Sequence, residues 1–92
     1  MRFEWDEAKR RSNIRRHRFD FIGVEQVFAT EIVSVRDHRF DYGEIRFLTF
    51  GVLNGRVVAV THTETDQVTR IISVRKASQN EEEIYFKGLR NW

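Results

Sequence analysis

The 92 residues include no cysteine, so neither a disulfide nor a thiolate zinc site adds to the stability of this chain. Proline is absent as well. No apolar run approaches the roughly 18 residues that a membrane span requires. The amino terminus, Met1-Arg2-Phe3-Glu4-Trp5-Asp6, is charged from its second residue, unlike a secretory signal. A cytoplasmic location with no membrane partner is the expectation. No glycine-rich loop of the nucleotide-cradling kind is present. The three histidines, His17, His38 and His62, lack metal-ligand spacing. Neither a metal nor a cofactor is therefore expected. A chain of this length reads as one domain over 1–92. Such a domain buries about 60–65% of its extended surface, so its core is modest.

Charge is plentiful but unevenly placed. Lys and Arg number 16 against 14 Asp and Glu, a net charge of +2. Residues 9–18, Lys-Arg-Arg-Ser-Asn-Ile-Arg-Arg-His-Arg, contain no acid, whereas 81–83 are Glu-Glu-Glu. A basic block in an otherwise balanced chain points to a polyanion or an acidic partner, or to a solvated helix face.

The local pattern predicts an α+β fold: two N-terminal helices, an antiparallel meander of three to four strands, and a C-terminal helix. Residues 2–5 suit a short strand. Asp6 is a plausible N-cap for a helix over about 7–17, which no proline or glycine interrupts. Asp20 suits the cap of a second helix over 21–29, where Phe21, Val24, Val27 and Phe28 share one apolar face. Gly23 weakens that helix near its start. Strand patterns then occupy 32–35, 44–53, 56–64 and 67–75, and 79–90 read as the closing helix. Asn54-Gly55 is a strong two-residue hairpin signal, because both turn positions need positive φ.

The turns set which side chains share a face. An Asn54-Gly55 loop places Leu53 opposite Arg56 and Phe47 opposite His62. A second loop at Thr65-Asp66 places Glu64 opposite Gln67. One face then carries Arg46, Leu48, Phe50, Ala59, Thr61, Thr63, Arg70 and Lys76. The other carries Phe47, Thr49, Val58, Val60, His62, Glu64, Ile71 and Arg75. A one-residue slip would reverse every assignment on the affected strand.

RNA cleavage without a metal needs a group to accept the 2′-OH proton, cations to hold the phosphate oxygens, and a proton for the leaving 5′-oxygen. The sheet supplies suitable types in Arg46, His62, Arg70 and Lys76. Arg46 and Arg70 lie diagonally across the middle strand with Thr61 and Thr63 between them, as a phosphate clamp would. Each would otherwise snorkel from the sheet or pair with a carboxylate. His62 has Glu64 two residues on, facing the same way. A carboxylate there raises an imidazole pKa and orients the ring; a half-buried histidine bonded to a neighbour is the plainer reading. Arg75 and Lys76 end the last strand and point to opposite faces. On the first helix, Lys9, Asn13, Arg16 and His17 form one stripe. It suits either an RNA groove or a hydrogen-bonded seam against the sheet.

Several segments together resemble one family. Phe3-Glu4-Trp5-Asp6 followed by Lys9, Asn13 and His17 is similar to the opening of BrnT toxins, with Arg16 where they carry lysine. Gly43-Glu44 before Arg46, the Asn-Gly hairpin, and Arg70-Ile71-Ile72-Ser73-Val74-Arg75-Lys76-Ala77 resemble later parts of that family, as does Tyr85 in the last helix. The resemblance implies a RelE-like fold and an RNA-cleaving endoribonuclease that stops growth. It also implies a BrnA-type ribbon-helix-helix antitoxin, in a complex of two toxins and two antitoxins that meets operator DNA only through the antitoxin. Combined with the residue reading, it nominates Arg46, His62, Arg70 and Lys76 for catalysis and Lys9, Arg16, His17 and Arg75 for RNA binding. Two departures stand out: Thr65 where relatives often have arginine, and the acidic Glu81–Glu83. Two rival readings remain open, a non-catalytic nucleic-acid-binding module and a protein-interaction domain whose basic helix meets an acidic partner.

Overall fold

The elements follow the local rules closely at their caps and tight turns. In the computed structural model, which describes residues 1–90, they are β1 (Arg2–Trp5), α1 (Glu7–His17), α2 (Glu25–Phe28), β2 (Val33–Arg36), β3 (Phe47–Leu53), β4 (Arg56–Glu64), β5 (Val68–Lys76) and α3 (Gln79–Arg90). Asp6 caps α1, its Oδ1 accepting a hydrogen bond from the Lys9 amide at 3.1 Å. The helix ends on Arg18 in the left-handed region at φ 67°, whose amide bonds the Ile14 carbonyl. Asn54 and Gly55 take φ values of 52° and 78°. That turn sets the predicted β3–β4 register, Leu53 opposite Arg56 and Phe47 opposite His62.

The fold is α+β, with a five-stranded sheet in the order β1-β5-β4-β3-β2. The meander β2 to β5 is antiparallel, and β1 adds a fifth, parallel strand along β5, from Arg2 opposite Val68 to Trp5 opposite Ile71. Both faces are covered. Phe19, Phe21, Val24 and Val27 pack on Val58, Val60, Ile71 and Val74 on one side. On the other, Tyr85 of α3 and Ala77 join Leu48, Phe50, Val57 and Ala59.

Two expectations need correction. The second helix spans only Glu25–Phe28, not 21–29. Asp20 Oδ1 accepts from the Ile22 amide in a local turn, and Gly23 sits at φ 97°, outside helical geometry. The apolar spacing is kept nonetheless, and Phe21, Val24 and Val27 are all buried. The β4–β5 register also differs. Glu64 lies opposite Thr69 rather than Gln67, and the pairing jumps between His62–Ile71 and Thr61–Ser73. Ile72 is thus an extra residue, a bulge that reverses the faces of everything after it on β5. Arg75, opposite Ala59, shares the Arg70 face, and Lys76, opposite Val58, lies on the His62 face. Both assignments are the reverse of those the alternation predicted.

Gly51 of β3 meets α2 without clearance. A Cβ there would lie 2.7 Å from Val27 Cγ1 and 3.2 Å from the Val27 carbonyl oxygen. Val27 is fully buried and cannot retreat. Gly51→Ala is expected to destabilise the protein by about 1–3 kcal/mol through overpacking. Urea unfolding checks this; a midpoint equal to that of the parent refutes it.

Candidate functional site

β1 covers β5 only as far as Ile71. Beyond it the outer edge of β5 would be bare, and α1 takes over. The Asn13 amide pairs with Val74 as a neighbouring strand would: Nδ2 donates to the Val74 carbonyl at 2.8 Å, and Oδ1 accepts from the Val74 amide at 3.1 Å. Nδ2 also donates to the Phe19 carbonyl at 2.9 Å. Asn13 is the one buried residue of α1, so polar pairing rather than an apolar stripe seats this helix. The seam reading of the α1 stripe holds for Asn13.

Its neighbours line a cleft. Lys9, Ser12, Arg16 and His17 form one wall and Ile72 and Ser73 of β5 the other, around a space of about 230 Å³. Arg75 lies near enough to His17 that, after desolvation and Arg16, it helps hold that imidazole below its ordinary pKa. Arg75 is itself held by Glu81, with Nη1–Oε1 at 2.6 Å and Nη2–Oε2 at 2.9 Å. Glu81 also closes a capping box on α3, since its Oε1 accepts from the Ser78 amide and Ser78 Oγ from the Glu81 amide. Its pKa is lowered to about 2, first by Arg75. The acid that looked anomalous in sequence therefore starts a helix and fixes an arginine.

At the Lys9 end, Arg46 and Arg70 converge. Glu44 bridges them: Arg46 Nε donates to Oε2 at 3.0 Å, and Arg70 Nη2 donates to Oε1 at 3.1 Å and Oε2 at 3.2 Å. Arg46, Arg70 and Lys9 hold the Glu44 carboxyl below its usual range, with the Arg46 hydrogen bond the largest cause. The carboxylate thus sits between the two arginines as a phosphate would. Arg46 also lies over the Tyr42 ring, 4.0 Å from its centroid.

The other two catalytic candidates lie elsewhere. His62 is 1% exposed, sandwiched between Phe28 and Phe47. Its Nε2 and Thr49 Oγ1 share a hydrogen bond of 2.6 Å, and Thr49 Oγ1 shares another with Ser34 Oγ at 2.7 Å. Glu64 Oε1 is 3.5 Å from Nδ1. Burial outweighs that carboxylate and lowers the His62 pKa, opposite to the expected direction. Lys76 is on the same side of the sheet as His62, away from Arg46 and Arg70.

Glu44, Tyr42 and the loop that carries them were not among the nominated residues. The signal was faint: an acid two residues before an arginine, ahead of a strand. Among the described residues, no three His, Asp or Glu side chains converge as metal ligands, and no helix is long and apolar enough to cross a membrane.

The fold and the cleft define a small α+β protein in which Lys9, Arg16 and His17 of a helix face a sheet edge across a cleft. Residues 5–81 match the family described as "Ribonuclease toxin, BrnT, of type II toxin-antitoxin system". The chain belongs to that family of ribonuclease toxins. None of the curated proteins compared with the chain matches it.

Proposed function

We propose that this chain is a metal-independent endoribonuclease toxin that cuts RNA at the Glu44–Arg46–Arg70 cluster. The observation that carries the reading is the convergence of two guanidinium groups on one carboxylate, with Lys9 of the α1 cleft near enough to act on it. An RNA phosphate competes for the same two forks. Once it takes them, the carboxylate, 36% exposed, is released from the arginines and left beside the ribose. There it accepts the 2′-OH proton. The 2′-oxygen forms a bond to phosphorus, the P–O5′ bond breaks, and water protonates the leaving oxygen. The products are a 2′,3′-cyclic phosphate and a 5′-hydroxyl. Arg46 and Arg70 neutralise the charge that builds on the non-bridging oxygens. Lys9, Arg16, His17 and Arg75 hold the flanking strand. His17 is two helical turns from Lys9, about 12 Å along the axis, so it serves the flanking backbone rather than the same phosphate. His62 acts on the packing of β3 and β4 through Thr49, and Lys76 supplies only charge on the opposite face.

The antitoxin in this reading is a BrnA-type ribbon-helix-helix protein in a 2:2 complex, through which alone operator DNA is met. Its support is the resemblance and the exposed basic face of α1. Arg10 is already committed to Glu7 and Asp20, which leaves Arg11 and Arg15 as the exposed cations of that helix outside the cleft lining.

Incubation with RNA and EDTA tests the activity. Fragments ending in 2′,3′-cyclic phosphate are expected; intact but gel-shifted RNA would mean a binder without chemistry. The pH profile tests the base. In the free protein Arg46, first of all, holds the Glu44 carboxyl below its usual range, and kcat/KM reports the groups of the free enzyme. On its acidic side kcat/KM should therefore hold to below the ordinary carboxylate range. A rate that falls about tenfold per pH unit below about 6.5 would assign the base to an imidazole instead.

A further inference from the structure

The loop between β2 and β3 is built around a buried acid. The Asp37 side chain has no exposed surface. It accepts from Arg39 Nε and Nη2, both at 2.9 Å, from the Arg39 amide at 3.1 Å and from the Tyr42 hydroxyl at 3.1 Å. The Asp37 amide donates to the Arg46 carbonyl at 2.8 Å and closes the neck of the loop. These bonds hold the Asp37 carboxyl well below the usual carboxylate range, chiefly through Arg39.

The consequence is a series of fixed planar groups. The anchored Tyr42 ring carries the Arg46 guanidinium on its face at 4.0 Å. Phe40 stands edge-on to Tyr42, with ring centroids 5.8 Å apart. Phe40 is 70% exposed, more than any other aromatic residue among those described, and Ile45 of the same loop is 54% exposed. The loop does not use Phe40 to bury surface. An aromatic ring is thus displayed to solvent on a braced loop, two residues from the ring that carries an arginine of the clamp.

We propose that Phe40 is a stacking platform for an unpaired base next to the phosphate held by Arg46 and Arg70, so that the substrate class is single-stranded RNA. This rests on the ribonuclease reading above. The occupant follows from charge complementarity: an apolar π-face one ring away from Arg46, which shares the Glu44 carboxylate with Arg70, matches a base joined to a phosphodiester. RNA recognised in single-stranded form offers its bases to aromatic rings in this way, whereas a duplex keeps them stacked internally.

The test uses the whole protein and a 2′-O-methyl RNA oligonucleotide, which binds without being cut, beside an abasic strand of the same length and charge. Phe40→Ala should weaken binding of the oligonucleotide by about tenfold and leave binding of the abasic strand unchanged. Phe40→Trp should bind as the parent does, and Phe40→Leu, apolar but without a π-face, should behave like alanine. Arg70→Ala should weaken binding of both strands. If Phe40→Ala binds the oligonucleotide like the parent while Arg70→Ala loses it, the platform is refuted and the clamp stands. If the parent binds neither strand and cuts no RNA, the ribonuclease reading falls and the platform with it. Loss of antitoxin affinity in Phe40→Ala with RNA affinity intact would assign the ring to a protein interface and overturn the proposal. Leucine matching tryptophan would exclude stacking as the cause.

Discussion

Arg70→Ala is expected to abolish growth inhibition and to lower RNA cleavage by about 10²–10³-fold, with the fold unchanged. The argument has two parts. Arg70 lies on the sheet face that carries Thr63, and its side chain, 45% exposed, meets only the partly exposed Glu44 carboxylate. An ion pair of that kind contributes about 0–1 kcal/mol to stability, so truncation leaves the thermal midpoint nearly where it was. The rate is another matter. In the proposed mechanism the Arg70 guanidinium fork places two donors on the phosphate oxygens whose charge grows in the transition state. Arg46→Ala should show the same loss, because both arginines address one anion. Arg70→Lys keeps the charge but not the planar fork, and should recover only part of the activity. Cleavage of a defined RNA under single-turnover conditions, with circular dichroism on each variant, checks the set. Folded Arg70→Ala and Arg46→Ala proteins that cut at the parental rate would place the chemistry elsewhere.

The largest effect on stability is expected at Asn13. Asn13→Leu removes three hydrogen bonds at once and leaves the Val74 amide, the Val74 carbonyl and the Phe19 carbonyl without their partner in a site where Asn13 is 5% exposed. Orphaned buried groups cost about 1–3 kcal/mol each. Relaxation of the β5 edge toward water recovers some of this, and a net loss of about 3 kcal/mol is expected. For a domain of this size that lowers the thermal midpoint by roughly 12–24 °C. Asn13→Asp should be nearly as damaging. It retains the acceptor for the Val74 amide but sets a carboxylate oxygen against two carbonyls. Because α1 is seated by this contact, these variants should also lose affinity for RNA in the part of the cleft lined by Arg16 and His17, before global unfolding. A thermal midpoint within a few degrees of the parent for Asn13→Leu would show that apolar contacts, not the amide, hold α1 in place.

Much of this protein was readable residue by residue, wherever a structural preference is local. The Asp6 cap, the Asn54-Gly55 turn, the bounds of α1, β4 and α3, and the β3–β4 register depend on groups only a few bonds apart. So does the burial of Phe21, Val24 and Val27, since apolar spacing survives a change from helix to turn. Arg46 and Arg70 were legible as a pair because they lie before the bulge, Arg46 just ahead of β3 and Arg70 on β5, where simple alternation holds. What the tertiary structure alone decided depends on partners distant in sequence. One extra residue at Ile72, imposed by how β5 meets β4, exchanges the faces of Arg75 and Lys76; no local preference marks it. Asn13 and Val74 are 61 residues apart, and only the end of β1 at Trp5 leaves the β5 edge bare for the amide to pair with. Whether His62 faced solvent or core depended on Phe28 and Phe47 closing over it, and that burial reversed the direction of its pKa shift. Glu44 meets both arginines because folding brings it to Arg70, 26 residues on, and places one carboxylate between two guanidinium groups.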